Sequence, residues 1–158
     1  GRETWQTKRI AIFEPDATTP YLLTTLDVAA TSPAWSPDGS LVTYSAMPDQ
    51  GASVNSTSAL LKRKIWVRDS GAVAPPRQVT FDESYRDERP QFSSDGSAIL
   101  FARLDASGRA SLWLAGLHDG GTNLSQVALE MTPSPDPLAD SGHITWSHLY
   151  DWWQGPSR

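Results

Sequence analysis

Apolar positions fall into short runs broken by turn residues, and one such pattern occurs twice. Pro33-Ala34-Trp35 leads into Ser36-Pro37-Asp38-Gly39-Ser40 and out through Leu41-Val42-Thr43-Tyr44. Pro90-Gln91-Phe92, Ser93-Ser94-Asp95-Gly96-Ser97 and Ala98-Ile99-Leu100-Phe101 align with it without a gap. Pro, Ser, Asp, Gly and Ser are identical between the copies, and the aromatic and aliphatic positions correspond. The pattern predicts a β-hairpin: an aromatic-centred strand, an Asp-Gly turn in which glycine supplies positive φ, and an apolar strand back. Its recurrence makes it a repeat, and a repeat governs the whole fold.

Each hairpin is followed by a second pair of strand-like runs. Lys64-Ile65-Trp66-Val67-Arg68 corresponds to Ser111-Leu112-Trp113-Leu114-Ala115, and Arg77-Gln78-Val79-Thr80 to Ser125-Gln126-Val127-Ala128. Four short strands, A to D, are the content of one β-propeller blade. Segments 9–13 and 21–24 have the C-then-D pattern, 143–147 has the A pattern, and 149–153 reads as a B strand without its Asp-Gly turn. The expected organisation is a single all-β domain over 1–158. It comprises a half blade at 9–24 (strands C and D), blades at 33–80 and 90–128, and a half blade at 143–153 (strands A and B). A complete ring has about four to eight blades. About three blade equivalents are therefore either part of a six- to eight-bladed ring or half of a six-bladed ring closed by a homodimer. In the dimer, the terminal A and B strands of each copy would pair with C and D of the other.

Composition agrees with a packed β domain. Of 158 residues, 39% are hydrophobic and 20% charged, enough for one core and too little charge for a disordered chain. Seven Trp, 12 Pro and 11 Gly fit many short strands, with turns between them and wide flat contacts inside. Thirteen Lys and Arg against 18 Asp and Glu leave a net charge of −5, the wrong sign for collecting phosphates, so nucleic acid is not an expected partner. The chain has no cysteine, which removes disulfides and thiolate chemistry. No apolar run approaches the roughly 20 residues of a transmembrane helix. The start carries neither an initiator Met nor a signal-peptide core, and the chain reads as a trimmed piece of something longer.

The Trp-Ser-Pro-Asp-Gly run at 35–39, its Phe-Ser-Ser-Asp-Gly counterpart at 92–96, the Ile-Trp-Val segment at 65–67 and the Gln-Val-Thr ending at 78–80 resemble the TolB-type, WD40-like β-propeller repeat. The resemblance runs from about residue 9 to 147, at the level of the repeat. It implies one of two classes of function. The first is a noncatalytic, extracytoplasmic scaffold, in the periplasm or cell envelope, that binds a protein, peptide or cell-envelope component through its loop face. The second is the propeller portion of a carbohydrate lyase or prolyl-oligopeptidase-like hydrolase that binds substrate or gates an active site elsewhere.

The residues favour the first class. There is no Gly-x-Ser-x-Gly elbow, and His118, His143 and His148 lack the spacing of a shared metal site, so no catalytic residue, metal or cofactor is expected. Asp38 and Asp95 read as turn formers. Trp35, Trp66, Phe92, Trp113 and Trp146 read as blade-packing core in place of a stacking platform. Binding chemistry is expected in the D-to-A and B-to-C connections, which gather on one face around a propeller's channel. Segment 82–89 reads as the D-to-A loop between the two blades and places Tyr85, Arg86, Asp87, Glu88 and Arg89 there as the main binding candidates. His143, beside the Pro-rich segment 131–142, is a candidate for the channel rim. As exposed loop positions, Tyr85 and Arg86 should tolerate substitution with little change in stability. The B-to-C connection 47–62 is longer than its counterpart 104–110, and its small polar residues predict mobility.

Overall fold

The structure is a computed structural model that describes residues 8–48, 62–117, 123–131, 150 and 152. Among these residues there are ten strands and no helix: β1 (Ala11–Ile12), β2 (Tyr21–Leu22), β3 (Val28–Trp35), β4 (Leu41–Pro48), β5 (Lys64–Asp69), β6 (Arg77–Gln78), β7 (Arg86–Phe92), β8 (Ala98–Leu104), β9 (Ala110–Gly116) and β10 (Leu124–Met131). They form three antiparallel sheets, β1-β2, β3-β4-β5-β6 and β7-β8-β9-β10, each a meander in chain order. No helix among the described residues is long and apolar enough to cross a membrane.

The two hairpins close identically. Ser36 N–H donates to Leu41 O at 2.9 Å, and the Asp38 carboxylate accepts from Ser36 Oγ at 2.6 Å and from Ser40 N at 3.0 Å. Ser93, Asp95, Ser97 and Ala98 repeat every one of these contacts. Gly39 and Gly96 stand at φ 72° and 71°, the left-handed region that Cβ-bearing residues avoid, which is why Asp-Gly marks the turn in both copies.

Strands β3 and β7 begin at Val28 and Arg86, upstream of residues 33 and 90 where the sequence pattern places the blade starts. A bulge in each strand carries the chain past its proline. Register shifts between Thr31 and Ala34 and between Glu88 and Gln91, and the residue before each proline, Ser32 or Arg89, takes positive φ (54° and 46°). Proline has no N–H to give the ladder, so a bulge is where a strand accepts it.

Three apolar layers hold the sheets together. Ile10, Ile12 and Leu23 beside β1-β2 pack on Ala30, Val42 and Tyr44 of the first four-stranded sheet. Ile65, Val67 and Val79 of that sheet pack on Phe92, Ile99 and Phe101 of the next. Ala102, Leu104 and Ala110 form the third layer, with Tyr150 against it. Backbone bonds repeat along with this packing: Ala30 N–H donates to Lys8 O at 2.8 Å and Asp87 N–H to Arg63 O at 3.0 Å, tying each inner strand to the preceding sheet.

The packing corrects one expectation. Phe92 is 3% exposed, but Trp35 at the equivalent position is 52% exposed and is not core. Phe92 has a whole sheet to pack against, whereas the sheet preceding Trp35 consists of two-residue strands. Trp146 lies outside the described residues.

Candidate functional site

The second half of segment 82–89 is strand, which corrects the loop reading of Arg86, Asp87, Glu88 and Arg89. The turn is confined to residues 82–85, where Ser84 N–H donates to Asp82 Oδ1 at 2.9 Å and Tyr85 is half-buried. From Arg86 onward the backbone pairs with β8, setting Arg86 opposite Leu104, Asp87 opposite Arg103 and Glu88 opposite Ala102. Arg86, Asp87 and Glu88 are buried and Arg89 is half-buried, so the expectation that Arg86 can be replaced without loss of stability does not hold. Three of the four consecutive charged residues of this strand are ion-paired, and the fourth, Arg89, stacks on Tyr150. Arg103 grips Asp87 through Nε at 2.7 Å and Nη2 at 2.9 Å. Glu88 accepts from Arg86 Nε at 2.7 Å and also from Arg63 Nη1.

Around this cluster the aromatic residues act as a cage. The Arg103 guanidinium lies 4.9 Å from the Tyr85 ring centre, 4.9 Å from Trp113 and 5.4 Å from Phe101. Lys64 Nζ donates to Tyr85 O. Arg89 stacks 5.6 Å over Tyr150, whose hydroxyl donates to Arg89 O at 2.7 Å. Burial pushes the Arg63 guanidinium and the Lys64 amine below their ordinary pKa values, with Glu88 and Asp87 respectively opposing the shift. The repeat contains its own control. In the first blade the register pair equivalent to Asp87 and Arg103 is Ala30 and Ala46. The blade therefore closes without charge here, and the ion pairs are an addition specific to the second blade.

Two clefts open at the blade end that carries the D-to-A and B-to-C connections. The first, of about 440 Å³, is bounded by Val28, Pro48, Lys64, Trp66, Gln78 and Phe81. The second, of about 410 Å³, is bounded by Tyr85, Asp105, Arg109, Trp113 and Gln126. They occupy the same place in successive repeats, since Trp66 stands opposite Gln78 in the β5-β6 ladder and Trp113 opposite Gln126 in β9-β10. Lys64 faces the first cleft and Tyr85 the second, and the Lys64 Nζ bond to Tyr85 O links the two linings.

Of the sequence candidates, Tyr85 lines a cleft, Arg86, Asp87 and Glu88 are buried in ion pairs and line neither cleft, and Arg89 sits at the β7 bulge. His143 lies outside the described residues, as do His118, His148 and segment 49–61 of the long connection. Sequence reasoning missed Arg63, Lys64 and Arg103. The one signal available for Arg103 is a charge at a repeat position that is Ala46 in the first copy. Asp38 and Asp95 are turn formers as expected, their pKa values held to about 2 chiefly by the Ser36 and Ser93 hydroxyls.

No protein-family model and no curated protein matches the sequence. Solved structures do match. A putative TolB from Agrobacterium tumefaciens aligns with a TM-score of 0.59 at 19% identity, over 81% of this chain and 44% of its own. TolB from Acinetobacter baumannii aligns with a TM-score of 0.51 at 20% identity, over 73% of this chain and 25% of its own. An acylaminoacyl peptidase from Pyrococcus horikoshii gives a TM-score of 0.45 at 21% identity, over 66% of this chain and 14% of its own. The two TolB likenesses show the fold: this chain is built of TolB-type β-propeller blades. It spans less than half the length of either TolB structure.

Proposed function

We propose that these blades belong to a noncatalytic, extracytoplasmic scaffold that docks a protein, peptide or cell-envelope component on the face where the two clefts open. The observation that carries this reading is the charge present at Asp87 and Arg103 but replaced by Ala30 and Ala46 in the neighbouring blade. Burying an ion pair costs several kcal/mol per ion in desolvation before the pairing returns it. A blade that closes on alanine does not need that expense for its fold. What the cluster provides is rigidity: it fixes Tyr85 and Lys64, the side chains facing the two clefts, and a prearranged surface loses less entropy on binding. The TolB-type fold supports the scaffold class, and the extracytoplasmic location rests on the same resemblance.

A photo-crosslinking amino acid placed at Phe81 or Tyr85 in the native host tests the reading. Both positions should capture the same partner, and Val73, exposed in the β5-β6 turn at the opposite blade end, should not. Capture from Val73 alone, or none from the cleft face, overturns the proposal.

Ring closure by a second copy is part of the same reading, supported by the C–D geometry of the β1-β2 pair. Ile10 N–H donates to Thr24 Oγ1 at 3.0 Å just as Ile65 N–H donates to Thr80 Oγ1 at 2.9 Å in the full blade. Light scattering should give twice the 17.2 kDa chain mass, unchanged on dilution. A stable species of 17.2 kDa would remove the dimer and leave the docking face to be tested on its own.

A further inference from the structure

We infer that the two clefts are saccharide subsites, each taking one pyranose unit, and that the component docking on this face is a glycan. The inference rests on the scaffold reading and names its ligand class.

The two clefts share an indole, an amide and a cation at corresponding repeat positions. Trp66, Phe81, Gln78, Lys62 and Glu83 face the first; Trp113, Tyr85, Gln126, Arg109 and Asp105 face the second. Each therefore presents an indole, a primary amide and a second aromatic ring; the first adds Lys62 and Glu83, whereas in the second Arg109 and Asp105 are already bonded to each other. A pyranose has an apolar face of C–H groups that packs on an aromatic ring, and a rim of hydroxyls that each donate and accept. Such a rim is matched by an amide, which does both. Volumes of about 440 and 410 Å³ are within the range of small-molecule sites.

Other ligand classes fit less well. An extended peptide would bind by adding a strand, but the backbone that carries each indole is already paired on both sides. Trp66 lies between Tyr44 and Gln78 in the sheet ladder, and Trp113 between Phe101 and Gln126. A phosphate or other anion would need surplus positive charge, but Asp27 and Glu83 balance Lys62 and Lys64 at the first cleft, and Arg109 is bonded to Asp105 at 2.9 Å at the second. Two sites built on the same Trp and Gln positions of successive repeats suit a polymer of repeating units, each weakly held and both engaged together.

The full chain, labelled with ¹⁵N in tryptophan, is titrated with chitotetraose and with cellotetraose while the indole N–H signals are followed by NMR. Among the seven Trp of the chain, the signals of Trp66 and Trp113 should shift and saturate in the millimolar range with at least one of the two sugars. Gln78→Ala should weaken the response at Trp66 by about tenfold and leave Trp113 unchanged, and Gln126→Ala the reverse, about the effect of one lost hydrogen bond. Each variant is its own folding control, because the untouched cleft still responds. No shift at Trp66 or Trp113 with either sugar, or shifts that both variants leave intact, would overturn the assignment. Crosslinking to a protein from Phe81 and Tyr85 without any sugar response would remove the glycan and keep the scaffold, whereas loss of both results would remove both.

Discussion

Asp87 and Arg103 face each other across β7 and β8 in a two-point ion pair, with Asp87 0% and Arg103 3% exposed. Removing one partner leaves the other charged in the interior, so Asp87→Ala and Arg103→Ala should each cost about 3–5 kcal/mol. The double variant recreates the Ala30–Ala46 arrangement of the first blade and should cost clearly less than the sum of the two. A double-mutant cycle by urea denaturation measures the difference. Additive costs would mean that the two side chains do not act as a pair.

That pair also marks where the sequence stops being legible. The Asp-Gly hairpins can be read because their determinant is local: one glycine at positive φ and one carboxylate between two serines. Strand β7 cannot, because Arg86-Asp87-Glu88-Arg89 shows no apolar alternation, and the partners that bury its charges, Arg63 and Arg103, lie elsewhere in the chain. The repeat pattern starts the second blade at Pro90, yet the bulge at Arg89 carries the strand through it from Arg86. The clefts are half legible. Trp66 and Gln78 align with Trp113 and Gln126 in the repeat, but only the strand register sets each indole opposite its amide.

The turn carboxylates make the protein sensitive to acid. Hydroxyl and amide donors, the Ser36, Ser93 and Ser107 side chains first among them, hold Asp38, Asp95 and Asp105 at about 2, below the ordinary value of 3.8. A carboxylate whose folded pKa is depressed adds stability above its unfolded pKa and loses it as pH falls through the folded one. Stability should therefore decline between about pH 4 and pH 2. Asp38→Asn with Asp95→Asn should be less stable than the parent at pH 7 and approach it at pH 2, as read from urea midpoints at the two pH values. A difference that stays constant with pH would show that the carboxylates are not linked to folding.

Thr80 tests the stitch between C and D strands. Its hydroxyl accepts from Ile65 N–H at 2.9 Å in a fully buried setting, and Thr24 does the same for Ile10. Valine keeps the shape and removes the acceptor, leaving a buried N–H without a partner. Thr80→Val should cost about 1–3 kcal/mol. Hydrogen exchange should locate the damage, with the Ile65 amide losing protection before its neighbours on β4. An unchanged Ile65 amide would mean that the hydroxyl is not its acceptor.

Trp35 and Phe92 occupy the same repeat position with opposite surroundings, so a single comparison separates sequence identity from context. Phe92 fills the layer between the two four-stranded sheets, and Phe92→Ala should cost about 3–5 kcal/mol, combining lost transfer energy with the cavity left behind. Trp35 is half in solvent, and Trp35→Ala should cost under about 1 kcal/mol in the isolated chain. Thermal and urea unfolding at low protein concentration check both. If the Trp35 cost is instead as large as that of Phe92 and grows with protein concentration, another chain covers the tryptophan in solution, and the ring is closed from that side.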